Sequence, residues 1–188
     1  MIIGIVGNNQ KPHAAQIIKD FIGLVEKRGI SYLYSQDLKN FLGLDNSAPM
    51  IPKKQMADMT DIVVAFGGDG TILATAQTVG HQVPILGVNV GTLGFLAEVM
   101  VDEMESALDE MINGNYKVSE RMALQVSVEF GQCDRQDFFA LNDLVVDKRL
   151  GSRLVIIDAW INDTFLNSYR ADGLIISTPT GATAYSMS

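Results

Sequence analysis

Residues 63–77 read VVAFGGDGTILATAQ. In this passage an apolar run leads directly into a glycine-rich turn, which is followed by a helix-like segment. The run Ile62–Phe66 is typical of a buried strand, and the alanine-rich segment Thr71–Val79 is typical of a helix. A strand that leads into a helix through a short turn is the building unit of layered α/β folds, so this passage favours that class. Such a turn needs no acid, which leaves the purpose of Asp69 among its glycines to be explained.

Strands and helices alternate throughout the first 98 residues. The expected strands are Ile2–Val6, Tyr32–Tyr34, Ile62–Phe66 and Ile85–Val88, and the expected helices are Ala14–Lys27 and Thr71–Val79. This alternation predicts an α/β domain with a parallel, layered sheet over residues 1–98. The segment Asp45–Lys53 contains two prolines and is expected to be the most mobile loop.

The hydrophobic period changes beyond residue 98. An amphipathic helix is expected over Asp102–Ile112, and from Leu124 to Phe130 apolar and polar residues alternate, as in a strand with one solvated face. Asn162-Asp163 is typical of a hairpin turn. Further strands are expected at Phe138–Leu141, Leu144–Val146, Leu154–Ile161, Phe165–Tyr169 and Leu174–Ser177. The sequence therefore predicts a second domain over residues 99–188 that is β-rich and sandwich-like.

Composition excludes several classes of protein. With 47% hydrophobic and 19% charged residues, the chain has the makeup of a folded domain. Its formal net charge of −8 argues against a surface that binds nucleic acid or anionic lipid. The single cysteine, Cys133, excludes an intrachain disulfide and a cysteine-rich metal site. The chain has no apolar run of about 18 residues and no basic leader, so we expect a cytoplasmic protein without a membrane span.

The glycine-rich turn has the features of a phosphate-binding site. It lies where a strand meets a helix N-terminus, whose backbone N–H groups attract anions, and its glycines at 67, 68 and 70, with Thr71 after them, allow close approach. It is neither a Walker loop nor a GxGxxG fingerprint. A carboxylate beside phosphates suits a general base that takes a proton from an attacking hydroxyl, with Mg²⁺ offsetting the charge. The alternative is that Asp69 only caps the helix.

Two further polar segments are candidates for ligand binding. Asn142 and Asp143 present an amide and a carboxylate side by side, which could bind a base and a ribose diol; the alternative is an Asx turn between two strands. The segment Arg170–Ser188, which reads RADGLIISTPTGATAYSMS, is rich in hydroxyl groups and almost free of charge. Such a segment suits a polar ligand that is bound by hydrogen bonds. The alternative interpretation is that the segment is an ordinary surface loop.

Together these segments resemble the NAD kinase family in its bacterial form. The resemblance rests on GGDGT at 67–71, LGFLAEV at 93–99, ND at 142–143 and DGLIISTPTGATAYS at 172–186, in one order across the chain. GGDGT alone is weakly specific, because diacylglycerol and sphingosine kinases have a similar loop. The combination with TPTGATAYS is highly specific.

The resemblance implies a phosphotransferase of NADP biosynthesis. Its members phosphorylate the 2′-hydroxyl of the adenosine ribose of NAD, using ATP or, in some members, polyphosphate, with Mg²⁺ or another divalent metal. By similarity Asp69 is the catalytic base, Gly70 lies against the dinucleotide within the phosphate loop Gly67, Gly68, Gly70 and Thr71, and Asn142 and Asp143 hold the adenosine portion. Many relatives have Glu where this chain has Asp143. The other positions assigned to NAD by similarity are Arg153, Arg170, Asp172, Thr183, Ala184, Tyr185, Ser186, Met187 and Ser188, with Phe95 as a ring that flanks the site.

Alternatives stay open at this stage. The alternative for Arg153 and Arg170 is that they are solvated surface residues, and for Phe95 that it is a core residue; no metal ligands are assigned. The family continues past the Ala-Tyr-Ser stretch, so the resemblance implies that the C-terminal part of the β-rich domain is lacking. It also implies small-molecule partners, NAD and ATP, and a homodimer or homotetramer. A GGDGT-type lipid kinase and a dinucleotide-binding fragment without catalysis are the other functions considered.

Overall fold

The computed structural model describes residues 1–80, 82–91, 94–131, 134–148 and 154–187 of the chain. These residues form two compact units, Met1–Ser119 and Glu120–Ser188. The first is a parallel sheet with helices and the second consists of antiparallel strand pairs. The predicted succession of an α/β part and a β-rich part is therefore confirmed.

The first unit is built on a six-stranded sheet in which every paired strand is parallel to its neighbour. The strands are β1 (Ile2–Gly7), β2 (Ser31–Ser35), β3 (Met50–Ile51), β4 (Ile62–Gly67), β5 (Ile85–Asn89) and β6 (Val99–Met100), in the order β3-β2-β1-β4-β5-β6. The four longer strands were predicted. The two-residue edge strands were not, and the expectation of a loop over Asp45–Lys53 is wrong where β3 pairs with β2.

Helices pack against this sheet. Apolar residues that recur at helical spacing form one face of each longer helix, and that face is buried in the core. The helices are α1 (Pro12–Lys27), α2 (Lys39–Leu42), α3 (Met56–Met59), α4 (Asp69–Val79) and α5 (Met104–Asn113). On α1, Ile18, Phe21 and Val25 are buried, and burial of side chains of this size stabilises a fold by about 1.5–3 kcal/mol each. The helix is followed by Gly29, whose φ of +64° is strained for other residues.

Helix α5 belongs to the first unit, which therefore ends later than residue 98, where the sequence analysis placed the domain boundary. Its residues Met104, Leu108 and Met111 are buried in the same core as α1. Arg28, just after α1, donates to both carboxylate oxygens of Asp109 on α5, at 2.5 and 3.0 Å. The apolar face of α5 therefore packs into the core of the α/β unit.

The residues of the second unit that the structure describes form three antiparallel strand pairs. They are β7 (Leu124–Phe130) with β8 (Asp134–Ala140), β9 (Asp143–Asp147) with β12 (Gly173–Ser177), and β10 (Val155–Ile161) with β11 (Thr164–Ala171). Asn162 and Asp163 connect β10 to β11 with φ values of 49° and 64°. A two-residue connection with positive φ at both positions is the favoured hairpin turn, so the turn predicted there is confirmed.

The strand order of the first unit creates a crevice at the carboxyl ends of the central strands. From β1 the chain moves outward to β2 and β3, and from β4 it moves outward to β5 and β6. In open α/β sheets, ligands bind outside the carboxyl ends of the strands where the order reverses, which here is between β1 and β4. Among the described residues no helix is long and apolar enough to cross a membrane.

Candidate functional site

The glycine-rich turn lies at the carboxyl end of β4, next to this reversal point. Strand β4 ends at Gly67, Gly68 is the N-cap residue, and α4 begins at Asp69. A Cβ on Gly67 would clash with the side chain of Thr71, so packing requires that glycine. A Cβ on Gly68 or Gly70 would meet nothing within 4 Å. Packing therefore does not require glycine at these two positions, and their lack of side chains leaves the mouth of the turn open.

The carboxylate of Asp69 is held by the loop that follows β5. Its Oδ2 accepts the backbone N–H of Phe95 at 2.8 Å, and its Oδ1 accepts those of Leu96 at 2.9 Å and Ala97 at 3.3 Å. No side chain caps α4, so the alternative that Asp69 serves as the helix cap is wrong. The sequence places Asp69 at the helix start, but its partners lie in a different loop.

These contacts set the acidity of Asp69. Partial burial alone would raise the pKa of this carboxyl, but the N–H groups of Phe95, Leu96 and Ala97 together lower it below its ordinary value. Asp69 is therefore ionised at neutral pH. It is a weak base in the resting protein and a good acceptor for a hydroxyl placed near it.

The loop beside Asp69 is shaped by Gly94 and exposes Phe95. A Cβ on Gly94 would overlap the Asp69 carboxylate, so only glycine lets the loop approach this closely. The Phe95 side chain is 82% exposed. The alternative that Phe95 belongs to the core is therefore wrong, and its ring is free to contact a ligand.

A cleft of about 420 Å³ opens at the reversal point. We name it the β1–β4 cleft; it is lined by Gly7, Asn8, Asn9, Gln10, Lys11, Lys53, Gly68, Gly70, Thr71 and Ala74. Its volume falls in the range of small-molecule sites. Of these lining residues, Gly68, Gly70 and Thr71 were assigned from the sequence, whereas Lys11 and Lys53 were not. Lys11 could have been found from its position just after β1, whereas Lys53 follows an edge strand too short to predict.

In the second unit, Asn142 lies between β8 and β9, and Asp143 is the first residue of β9. The Oδ1 atom of Asn142 is buried and has no hydrogen-bond partner among the described residues. An Asx turn would require that oxygen to accept a nearby N–H, so this alternative is wrong for Asn142. A buried acceptor without a partner is rare and is consistent with a ligand group that donates to it.

Thr178 joins the two polar segments of this unit. It is buried, and its Oγ1 donates to the carbonyl of Leu141 at 2.6 Å and accepts the N–H of Gly181 at 3.1 Å. Its own N–H donates to the carbonyl of Asn142 at 2.8 Å. A Cβ on Gly181 would clash with that same carbonyl. The structure thus brings Asn142 against the TPTG stretch, which the sequence analysis treated as a separate segment.

Arg170 lies near the end of β11, and Asp172 lies just beyond that strand. The Asp172 carboxylate forms an ion pair with Lys148 Nζ at 2.5 Å, and its side chain is 70% exposed. The N–H of Lys148 also donates to the Asp172 carbonyl at 2.9 Å. Arg170 is exposed. Both residues are therefore accessible to solvent.

The last described residues form two short 3₁₀ turns, Gly181–Thr183 and Tyr185–Met187. The Oγ of Ser186 donates to the carbonyl of Ala182 at 2.9 Å. Thr183, Tyr185, Ser186 and Met187 are exposed and Ala184 is half-buried. Arg153 and Ser188, also assigned to the NAD site by resemblance, lie outside the described residues.

The described residues contain no group of three or more His, Cys, Asp or Glu side chains that could hold a metal ion. Oxygen ligands for a divalent cation can also come from the phosphates of a nucleotide.

Comparison with known proteins identifies one family across both units. The profile of the ATP-NAD kinase N-terminal domain matches residues 3–116, and that of the ATP-NAD kinase C-terminal domain matches residues 141–188. The NAD kinase of Geotalea daltonii is 38% identical over 187 residues, and that of Heliobacterium modesticaldum is 37% identical over 192. Each alignment covers 99% of this chain and 65% of the relative, so the chain spans about 65% of the length of these relatives.

Solved structures of similar proteins support the fold. Yeast NADH kinase complexed with NADH superposes with a TM-score of 0.88 at 27% identity, covering 100% of this chain and 60% of that one. An NAD kinase from Archaeoglobus fulgidus in complex with ATP gives a TM-score of 0.69 at 21% identity, covering 100% and 64%. At that identity the archaeal likeness supports the fold alone.

Proposed function

This chain belongs to the NAD kinase family, and we propose that the protein transfers a phosphoryl group from ATP to the 2′-hydroxyl of the adenosine ribose of NAD, forming NADP. The profile matches to both family domains and the identity to bacterial NAD kinases support this reaction. The yeast relative complexed with NADH supports a nicotinamide dinucleotide as the acceptor.

The observation that carries the proposal is the fixed carboxylate of Asp69 beside two glycines that face open space. Its hydrogen bonds to the 95–97 backbone hold it in one orientation. Gly68 and Gly70, on either side of it in the chain, leave open space that a phosphate could occupy. An ionised acid in this position can accept a hydrogen bond from a sugar hydroxyl and direct that oxygen towards a phosphorus atom.

The low pKa of Asp69 favours a late proton transfer. The ribose 2′-oxygen forms a bond to the γ-phosphorus of ATP while the bond from that phosphorus to the β-bridging oxygen breaks and ADP leaves with the bond's electron pair. The 2′-hydroxyl proton passes to Asp69 as the new bond forms. Phosphoryl transfer has a loose transition state in which positioning matters more than early deprotonation, so a weak base suffices.

We assign the adenosine portion of NAD to the second unit. The buried Oδ1 of Asn142, which has no partner in the described structure, would accept from the adenine amino group, and Asp143 would accept from ribose hydroxyls. Arg170, Asp172 and Tyr185, near the end of the chain, are exposed to solvent and are our proposed contacts for the rest of the dinucleotide. Phe95 offers an exposed ring for stacking.

A divalent cation such as Mg²⁺ would enter with the donor as the metal complex of ATP, where it neutralises phosphate charge. Polyphosphate is a second donor to be tested. We also propose, from the family, a homodimer or homotetramer in the cytoplasm; light scattering after gel filtration measures the assembly.

The reaction is tested by incubating the full-length protein with Mg²⁺, NAD and ATP and measuring NADP with an NADP-specific dehydrogenase. Parallel reactions replace NAD with NADH, ATP with inorganic polyphosphate, and NAD with diacylglycerol. NADP formation that requires both substrates supports the proposal. Calorimetric binding of NAD without NADP formation would favour a non-catalytic binding protein, and lipid phosphorylation alone would favour a lipid kinase.

A further inference from the structure

The β1–β4 cleft contains two lysines that the family resemblance leaves without a role. Lys11 follows β1 and Lys53 begins the short turn after β3, so two separate segments each bring one cation to the same cleft. Both side chains are half-buried. The chain as a whole has a formal net charge of −8, whereas the lining of this cleft contains two cations and no acidic side chain.

Neither lysine is neutralised by a carboxylate in the part of the chain that the structure describes. Within the described residues, neither ammonium lies within 4 Å of a carboxylate. Lys11 Nζ donates to the carbonyl of Val90 at 3.4 Å, a long hydrogen bond to a neutral partner. Partial burial lowers the pKa of Lys53, opposed in part by the charge of Asp37, so the Lys53 ammonium is incompletely compensated. An anion in the cleft would relieve this cost.

Other groups in the cleft also favour an anion. Helix α4, 11 residues long, begins at the cleft, and the first N–H groups of a helix have no partner within it. Gly68 and Gly70 leave that backbone open, as nothing would meet a Cβ at either position. Main-chain donors therefore lie on the same cleft as the two ammonium groups.

The remaining lining indicates which part of a nucleotide fits. It consists of glycine, asparagine, glutamine, threonine and alanine besides the lysines, with no aromatic ring on which a base could stack. Such a surface binds charge and hydrogen-bond acceptors rather than a flat apolar ring. A chain of condensed phosphates meets this description.

We propose that Lys11 and Lys53 bind the phosphate chain of the phosphoryl donor in the β1–β4 cleft, and that they neutralise the charge shared by ATP and inorganic polyphosphate. This inference rests on the proposed kinase function and adds to it the residues that hold the donor. Asp69, at the same turn, would then face the acceptor hydroxyl while the lysines hold the phosphates.

The test compares Lys11→Gln, Lys53→Gln and the double variant of the full-length protein with two charge-matched controls. The controls are Lys19→Gln on α1 and Lys54→Gln beside Lys53, both exposed and outside the cleft lining. We expect the KM for ATP and for inorganic tripolyphosphate to rise about tenfold or more in each cleft variant, because a charge-assisted contact is lost. The KM for NAD should stay near the wild-type value, and Lys53→Arg should restore most of the donor affinity. Thermal unfolding verifies that each variant folds.

A direct binding measurement separates this inference from the kinase proposal. Calorimetry with inorganic tripolyphosphate alone should show binding to the wild type and at least about tenfold weaker binding to the double variant. If the wild type makes NADP but the double variant keeps both its KM for donor and its tripolyphosphate affinity, the lysine assignment is overturned. A rise in the KM for NAD instead of the donor would also overturn it. If the wild type makes no NADP yet binds tripolyphosphate through these lysines, the kinase proposal fails and the anion site stands.

Discussion

The carboxylate of Asp69 accepts the backbone N–H of Leu96 at 2.9 Å, although the two residues are 27 positions apart in the sequence. This hydrogen bond and those from Phe95 and Ala97 connect the start of α4 to the loop between β5 and β6. The residue proposed to receive a proton is thus also the anchor of the loop beside it. The two roles lead to separate predictions.

Replacing Asp69 with Asn should abolish most turnover. Asn keeps the shape of the side chain but cannot take the hydroxyl proton, and general bases contribute about a hundredfold or more to the rate. NADP formation at saturating donor measures the loss, and the KM for NAD should change by no more than several-fold. Asp58→Asn removes an exposed acid on α3 and should retain wild-type turnover. Near-normal turnover by Asp69→Asn would exclude the catalytic assignment.

The anchoring role predicts a pH-dependent difference in stability. Because the N–H groups lower the pKa of Asp69, its ionised form stabilises the fold above the ordinary pKa of about 3.9, and this contribution is lost as the pH falls through the lower folded value. The wild type should therefore exceed Asp69→Asn in free energy of unfolding most at neutral pH, with the gap narrowing below about pH 4. Urea unfolding at several pH values measures it.

This comparison isolates Asp69 from other acids. Hydrogen bonds also lower the pKa values of Asp45, Asp109 and Asp137, but these residues are the same in both proteins and cancel in the difference. A gap that does not change with pH would show that the Asp69 charge contributes nothing to stability.

The glycines of the turn should respond in opposite ways to alanine. Gly67→Ala forces a methyl group against Thr71, and overpacking of this kind costs about 1–3 kcal/mol. Gly70→Ala meets no atom within 4 Å and lies in the first turn of α4, so stability should be unchanged or rise by up to about 1 kcal/mol. Its methyl group narrows the approach to the backbone, so activity should fall although the fold is as stable. A Gly70→Ala protein with normal kinetics would mean that no ligand comes close there.

Thr178 should be essential for the second unit through its hydroxyl group. Thr178→Val keeps the volume but leaves the carbonyl of Leu141 and the N–H of Gly181 without this partner, which should lower the free energy of unfolding by about 2 kcal/mol. Thr178→Ser retains the hydroxyl and should lose much less. Calorimetry with NAD should show weaker binding to the Val variant because Asn142 is displaced. Equal stability of the Val and Ser variants would contradict this account.

The parts of the fold that could be predicted are those with a repeated pattern. Strands β1 and β4 and helix α1 are long enough for an apolar run or a helical period to be recognised. Strands β3 and β6 have two residues each, and α2 and α3 have four, which is too short for either signal. They form because neighbouring strands offer free edges and because tertiary packing supplies the stability that local sequence lacks.

The candidate site follows the same rule. The place of Asp69 at the end of a strand was evident from local sequence, since the strand, the glycines and the helix are contiguous. Its partners were not, because they are main-chain N–H groups of a distant loop, which no side-chain pattern reveals. Lys53 reaches the cleft only because β3 pairs with β2, so its place depended on an unpredictable strand.

The use of main-chain donors for Asp69 has an evolutionary consequence. Every residue except proline carries an N–H, so substitutions at positions 95–97 can alter side chains there without removing a donor to the carboxylate. Position 95 holds the loop through its N–H alone, so its largely exposed side chain can be exchanged without loss of that hydrogen bond. The carboxylate proposed to act at position 69 can therefore stay fixed while the side chain proposed to contact a ligand at position 95 changes.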